Sequence, residues 1–175
     1  VRDPDDPKYA PLGAVLANES AAAAADVVVL CTPWQGTQLA VQSCGNLAGK
    51  VLIDCTNPLT PDFTALEVGL TSSGAEQVSF WAPGARVCKA MNQIGAALMD
   101  GPQLSGQPVM FICGDEDQAK SVAAGLVVEL GFEAVDAGDL RVARLLEPYA
   151  LLWIHVALRR GFGANFGFGL LRGQS

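Results

Sequence analysis

Histidine is nearly absent: His155 is the only one in 175 residues, and no two cysteines form a C-x-x-C pair. The usual signatures of a zinc site and of a His-carboxylate catalytic pair are therefore missing. Basic residues are scarce as well, with 11 Lys and Arg against 18 Asp and Glu and a formal net charge of -7. A chain of that sign does not suit general binding to nucleic acid or to anionic lipid, so a small-molecule partner is expected. Charged residues amount to only 17% while half of the chain is hydrophobic, which excludes a disordered or fibrous class. No run is long and apolar enough to span a bilayer and the start carries no basic-then-apolar leader pattern, so the expected location is cytoplasmic. The cysteines are Cys31, Cys44, Cys55, Cys88 and Cys113, and four of them fall in or at the end of apolar runs. They read as core residues, since a thiol packs there as a small hydrophobe.

What is present is alternation. Short β-rich runs at Ala14 to Leu16, Asp26 to Cys31, Val51 to Cys55, Arg86 to Ala90, Val109 to Cys113 and Phe132 to Val135 are separated by helical or loop segments, the pattern of an α/β chain. The Val27 to Leu30 and Val51 to Ile53 stretches are apolar at successive positions. Both therefore read as central strands of a parallel sheet covered on two faces by helices. Asn18, Glu19 and Ser20 can cap a short alanine-rich helix, and Asp115 to Asp117 open a second helix whose apolar face ends at Gly131. From Asp139 to Arg160 the pattern is helical and apolar almost all round, with Pro148 expected to kink it. Such a helix must be surrounded, and a homodimer built on it is expected. His155 lies in that helix and reads as a packed or interface residue. The glycine- and phenylalanine-rich tail after Gly161 reads as a compact apolar loop.

In an open parallel sheet, ligands bind beyond the carboxyl ends of the strands. Thr32-Pro33-Trp34, Thr56-Asn57-Pro58-Leu59, Met91-Asn92-Gln93 with Lys89 before it, and Gly114-Asp115 occupy such places. The long connection between Asn57 and Gln77, with Pro58 and Pro61, is a further candidate for ligand contact.

Taken together, Ala25 to Leu30 with Thr32-Pro33-Trp34, Gly49 to Leu59, and Val87 to Asn92 closely resemble the deazaflavin (coenzyme F420)-dependent NADP reductase family. The likeness continues through Gly114-Asp115 and Leu145-Leu146-Glu147-Pro148, so it covers nearly the whole chain. Pyrroline-carboxylate reductases and the cytosolic domains of membrane metalloreductases share the nucleotide-binding half of that family. The resemblance implies a Rossmann-like, doubly wound sheet, NADP(H) as cofactor and coenzyme F420 as co-substrate. It makes Arg2, in Val1-Arg2-Asp3-Pro4, the residue that meets the 2'-phosphate, a task suited to a planar, two-pronged guanidinium. It sets Thr32, Pro33 and Trp34 beside the pyrophosphate and nicotinamide ribose. Asn57, Pro58, Lys89 and Asn92 would face the nicotinamide.

One family feature has no counterpart in the chain. The glycine-rich turn that receives the pyrophosphate at a helix amino end is absent, and Gly161, Gly163 and Gly167 have the wrong spacing and follow a helix. In the usual strand order the first strand is central, so its loss would leave a gap beside the Asp26 run. The expected organisation is a partial NADP-binding domain over residues 1–137 and a helical segment over 138–175 that packs on it or on a second copy. The expected function is hydride transfer between NADP(H) and a flavin-like acceptor, which needs proximity and not a proton carrier, so no catalytic acid or base is assigned. The alternatives are the same fold acting on an imine or a ferric complex, and a catalytically silent oligomerising module.

Overall fold

The computed structural model describes residues 17–99 and 101–173; Arg2 and the Ala14 to Leu16 run lie outside them. Five strands form one sheet in the order β1 (Val27–Leu30), β2 (Val51–Asp54), β3 (Arg86–Lys89), β4 (Val109–Gly114) and β5 (Glu133–Gly138). The helices are α1 (Asn18–Ala24), α2 (Trp34–Gln42), α3 (Gly74–Trp81), α4 (Asp117–Glu129) and α5 (Ala143–Arg159).

Strand β2 is buried at every position and has parallel partners on both sides, as its continuous apolar run requires. Its residues alternate between two layers. Leu52, with Val87 and Cys113, faces α2, α3 and the start of α5; Ile53, with Cys88 and Ile112, faces α4. The expectation of a second central strand at Val27 needs correction. Among the described residues β1 lies at the edge of the sheet, and its Val29 is 47% exposed.

The sheet is not parallel throughout, a second correction. β3 and β4 pair antiparallel, with Lys89 opposite Cys113, while β4 and β5 are parallel. The cause lies in the link between them. Residues 91–108 contain a single three-residue 3-10 turn, Ala96–Leu98, and no crossover helix among those described. A parallel return needs such a crossover, so the chain re-enters at the edge where it left. Gly114-Asp115 consequently sits away from the carboxyl ends of β1 to β3, where the Asp115 carboxylate accepts the Leu140 N–H at 3.0 Å.

A 3-10 turn, Leu140–Val142, precedes α5, and Pro148 is contained within that helix. One face of α5, with Leu146, Ala150, Trp153 and Ala157, is buried by its own chain. The opposite face, with Leu145 at 69% and Leu152 at 52% exposure, is not, and His155 is exposed beside it. The tail returns across the sheet's end: the Trp153 indole N–H donates to the Phe166 carbonyl at 3.0 Å, and the Val109 N–H donates to the Phe168 carbonyl at 2.8 Å. Trp153 stacks on Phe166 with ring centroids 5.1 Å apart. No described helix is long and apolar enough to cross a membrane.

Candidate nucleotide site

The carboxyl ends of β1, β2 and β3 open into a cavity of about 650 Å³, within the range typical of small-molecule sites. Thr32, Pro33, Trp34, Asn57 and Asn92, all expected at the site from the sequence, line it together. Pro58 is buried just behind this wall, close to Trp34 at Gly74. A Cβ on Gly74 would lie 3.1 Å from the Trp34 ring, 3.2 Å from the Glu147 carboxylate and 3.3 Å from the Pro58 ring. Glycine is thus what lets three elements close on this point. Parts of the long connection, Leu59, Thr60, Pro61 and Phe63, form the outer wall.

Two loops hold the floor rigid. The Asn57 amide donates to the Asn92 carbonyl, and the Asn92 amide donates to Asn57 Oδ1, both at 2.9 Å. Gln93 continues the clamp by bonding both the carbonyl and the N–H of Phe111, at 2.8 and 3.1 Å. Between them Met91 adopts φ of 60°, a left-handed backbone that a side chain rarely takes without support from its neighbours. Across the cavity, the Thr32 and Thr37 hydroxyls lie 3.0 Å apart and Thr37 donates to the Pro33 carbonyl at 3.1 Å. This fixes the start of α2.

Lys89 stands beneath the cavity and is fully buried. Its ammonium meets Asp54 Oδ2 at 2.8 Å, the Thr56 carbonyl at 2.6 Å and Glu147 Oε1 at 2.9 Å. Those three partners use all the donors an ammonium has, so Lys89 braces the loops that follow β2 and β3 from below and has no donor left for a ligand. Burial by itself would lower its pKa, but the Asp54 and Glu147 carboxylates outweigh that and keep it raised. Burial pushes Glu147 above the usual carboxylate range, against the pull of Lys89 and of the Gly74 N–H. Glu147 also accepts the Gly74 and Ala75 N–H groups at 2.9 and 3.1 Å, so it ties α5 to the amino end of α3 and to β3 at once.

Sequence reasoning missed this brace, although a signal for it was present. Asp54 and Lys89 each follow apolar residues and close their strands with opposite charges, and Glu147 interrupts an apolar helix. Thr56 falls in a loop that the sequence does single out, but its hydroxyl has no role assigned there. The Thr56 hydroxyl is buried on the cavity wall without a hydrogen-bond partner among the described residues, a state that costs about 1–3 kcal/mol unless something supplies one. Reading the cysteines as core residues holds for Cys88 and Cys113, which are buried, and fails for Cys31, which is exposed. Both Cys31 and Cys55 line the cavity. Among the described residues no group of three or more His, Cys, Asp and Glu side chains could hold a metal ion.

The residues present fit a dinucleotide. The wall is mostly apolar, with Leu59, Met91 and Ile94 able to lie against a flat ring, and the unpaired Thr56 hydroxyl can meet an amide or ribose group.

The comparisons with known proteins agree. The family model described as NADP oxidoreductase, coenzyme F420-dependent, matches residues 5–58. The F420-dependent NADP reductase of Methanothermobacter thermautotrophicus is 33% identical over 154 residues, which is 81% of this chain and 65% of that protein. A metalloreductase of Rattus norvegicus is 36% identical over 106 residues, 60% of this chain and 21% of its own length. Among solved structures, a protein of an Arthrobacter species assigned to the F420-dependent NADP reductases superposes with a TM-score of 0.84 at 34% identity, covering 91% of this chain and 76% of that one. The chain thus spans about two thirds of the methanogen reductase and about a fifth of the metalloreductase.

Proposed function

The chain belongs to the coenzyme F420-dependent NADP oxidoreductase family, and on that premise we propose that it is an oxidoreductase that holds NADP(H) in the cavity beyond β1 to β3 and presents it to a deazaflavin acceptor. The observation that carries this reading is the unpaired, buried Thr56 hydroxyl on the wall of an otherwise apolar cavity. When bound, the nicotinamide supplies the hydride. The chain's own part is positioning, which suits direct transfer because no proton carrier is needed at the reacting carbon.

The Thr56 hydroxyl orients the carboxamide. Met91 and Ile94 cover one ring face and keep water from it, and the Asn57–Asn92 clamp prevents the floor from yielding. Trp34, fixed against Trp81 with ring centroids 5.5 Å apart, borders the ribose. Arg2, by the family resemblance, selects the 2'-phosphate. The exposed Leu145 and Leu152 face of α5 is the surface on which a second copy would dock. A ferric complex as acceptor is the alternative, favoured by the likeness to the metalloreductase.

The test is NADPH consumption by the chain with a deazaflavin, a ferric chelate or a cyclic imine supplied in turn. Consumption with the deazaflavin supports the proposal. Consumption confined to the ferric chelate or the imine replaces the acceptor, and failure to bind NADPH at all overturns it.

A further inference from the structure

We propose that Cys31 and Cys55 form a redox-active dithiol on the cavity wall, which hydrogen peroxide converts into an intramolecular disulfide. Each residue directly follows a strand, and the two strands pair in parallel with Leu30 opposite Asp54. One step further along that register sets Cys31 opposite Cys55. The Cys55 N–H donates to the Leu30 carbonyl at 3.0 Å, so the pairing persists to this point. Neighbouring strands lie about 4.7–4.9 Å apart, inside the Cα separation of roughly 4.4–6.8 Å that a disulfide bridges. In-register residues turn their side chains to the same face, and both thiols line the same cavity. Cys31 is exposed and Cys55 partly so, which gives a small oxidant access, while Cys88 and Cys113 are buried.

The two thiols have complementary ionisation. Interaction with the Cys55 thiol lowers Cys31 to about 7, against burial and the Asp54 charge, so near neutrality a large share is thiolate, the attacking form. The same contact, together with burial, pushes Cys55 up, and it keeps its proton. The thiolate sulfur of Cys31 attacks one peroxide oxygen: an S–O bond forms, the O–O bond breaks, and hydroxide leaves to take up the proton that Cys31 had released. The Cys55 sulfur then attacks the sulfenic sulfur. An S–S bond forms, the S–O bond breaks, and the departing hydroxyl leaves as water with the Cys55 proton. Two thiols are oxidised by two electrons in all, and one peroxide is reduced to two waters.

The new bond would replace two thiols on the cavity wall beside Thr32 and Thr56 and stiffen both loops, so that oxidation weakens nucleotide binding; this consequence rests on the function proposed above. The experiment exposes the reduced chain to hydrogen peroxide, removes the excess, and maps the cysteines by peptide mass. The expected result is a mass lower by two hydrogens, a linked Cys31–Cys55 peptide and full reversal by dithiothreitol. Cys31→Ser should abolish the linkage, and Cys44→Ser should leave it unchanged. A linkage through any other pair, or oxygen gained at Cys31 with Cys55 still a free thiol, overturns the proposal. NADPH binding to reduced and oxidised protein is measured in parallel. Weaker binding on oxidation, restored by dithiothreitol, supports this coupling; equal binding by both forms overturns it. Reduced protein that binds no NADPH counts against the proposed function and leaves a mapped disulfide standing.

Discussion

Glu147, in the second turn of α5, meets the ammonium of Lys89 at 2.9 Å in a place where neither side chain is exposed to solvent. The contact joins the last described helix to a strand end beneath the cavity. Any change in one is felt by the other.

Glu147→Ala should therefore be among the most damaging single changes. It leaves the Lys89 charge short of one partner and frees the Gly74 and Ala75 N–H groups at the start of α3. Breaking a buried pair from one side costs about 3–5 kcal/mol, which urea denaturation would register as a large fall in midpoint. A loss below about 1 kcal/mol would show that the brace is not structural.

Thr56→Val separates binding from folding. The hydroxyl has no partner among the described residues, so stability should hold or rise slightly while NADPH affinity falls by about three- to tenfold, the worth of one hydrogen bond. Calorimetric titration of both variants decides it; unchanged affinity would remove Thr56 from the site.

Arg2→Ala addresses the 2'-phosphate. The guanidinium's two-pronged bonds suit that group, so the variant should lose most of any preference for NADPH over NADH while binding NADH as before. Equal affinities for the two cofactors in the unchanged protein would end the assignment.

The α5 surface gives a fourth test. Leu145 and Leu152 lie two turns apart on one exposed face, and burying such a side chain is worth about 1.5–3 kcal/mol. The unchanged protein should be a dimer by light scattering, and Leu152→Glu should make it a monomer. His155→Gln, on the same face, should leave turnover intact. A monomer at micromolar concentration before any substitution would rule out the dimer.

Acid should weaken the Glu76–Arg144 link between α3 and α5. The Arg144 guanidinium, with help from Ser73, holds Glu76 below the usual carboxylate range against some burial. A carboxylate depressed on folding adds stability above its unfolded pKa of about 4.3 and loses it as pH falls through the lower folded value. The stability difference between the wild type and Arg144→Ala should accordingly shrink below about pH 4.3. A difference that stays constant into acid would mean that the pair contributes nothing by charge.

Much of this architecture was legible because the strands are apolar runs stopped by polar loops. The Val51, Arg86 and Val109 runs became β2, β3 and β4 almost residue for residue. The direction of β4 was not legible, since direction depends on whether residues 91–108 cross the sheet, and a stretch with Gly95, Gly101 and Pro102 carries no periodic pattern to decide that. The edge position of β1 among the described residues was hidden too, because a run of four apolar residues reports covered faces and not whether a strand is paired on both sides. For the site, the rule that ligands lie beyond strand ends pointed to Thr32, Trp34, Asn57 and Asn92, which the structure brings to one cavity. It misplaced Lys89 because a lysine next to a loop shows its charge and not its partners. Those partners, Asp54 and Glu147, are separated from it by 35 and 58 positions.

The tail's hold on Val109 and Trp153 bears on the order in which the molecule takes shape. As the chain leaves the ribosome, β1 to β4 and their helices emerge well before residues 166–168, which cover the start of β4 and the Trp153 ring. Until those residues arrive and the intervening loop closes, an aromatic cluster of Phe111, Tyr149 and Trp153 stays wet, and contacts so distant in sequence form slowly. The nascent chain thus passes through an interval when it is sticky, and tryptophan emission during refolding should change last as the tail settles.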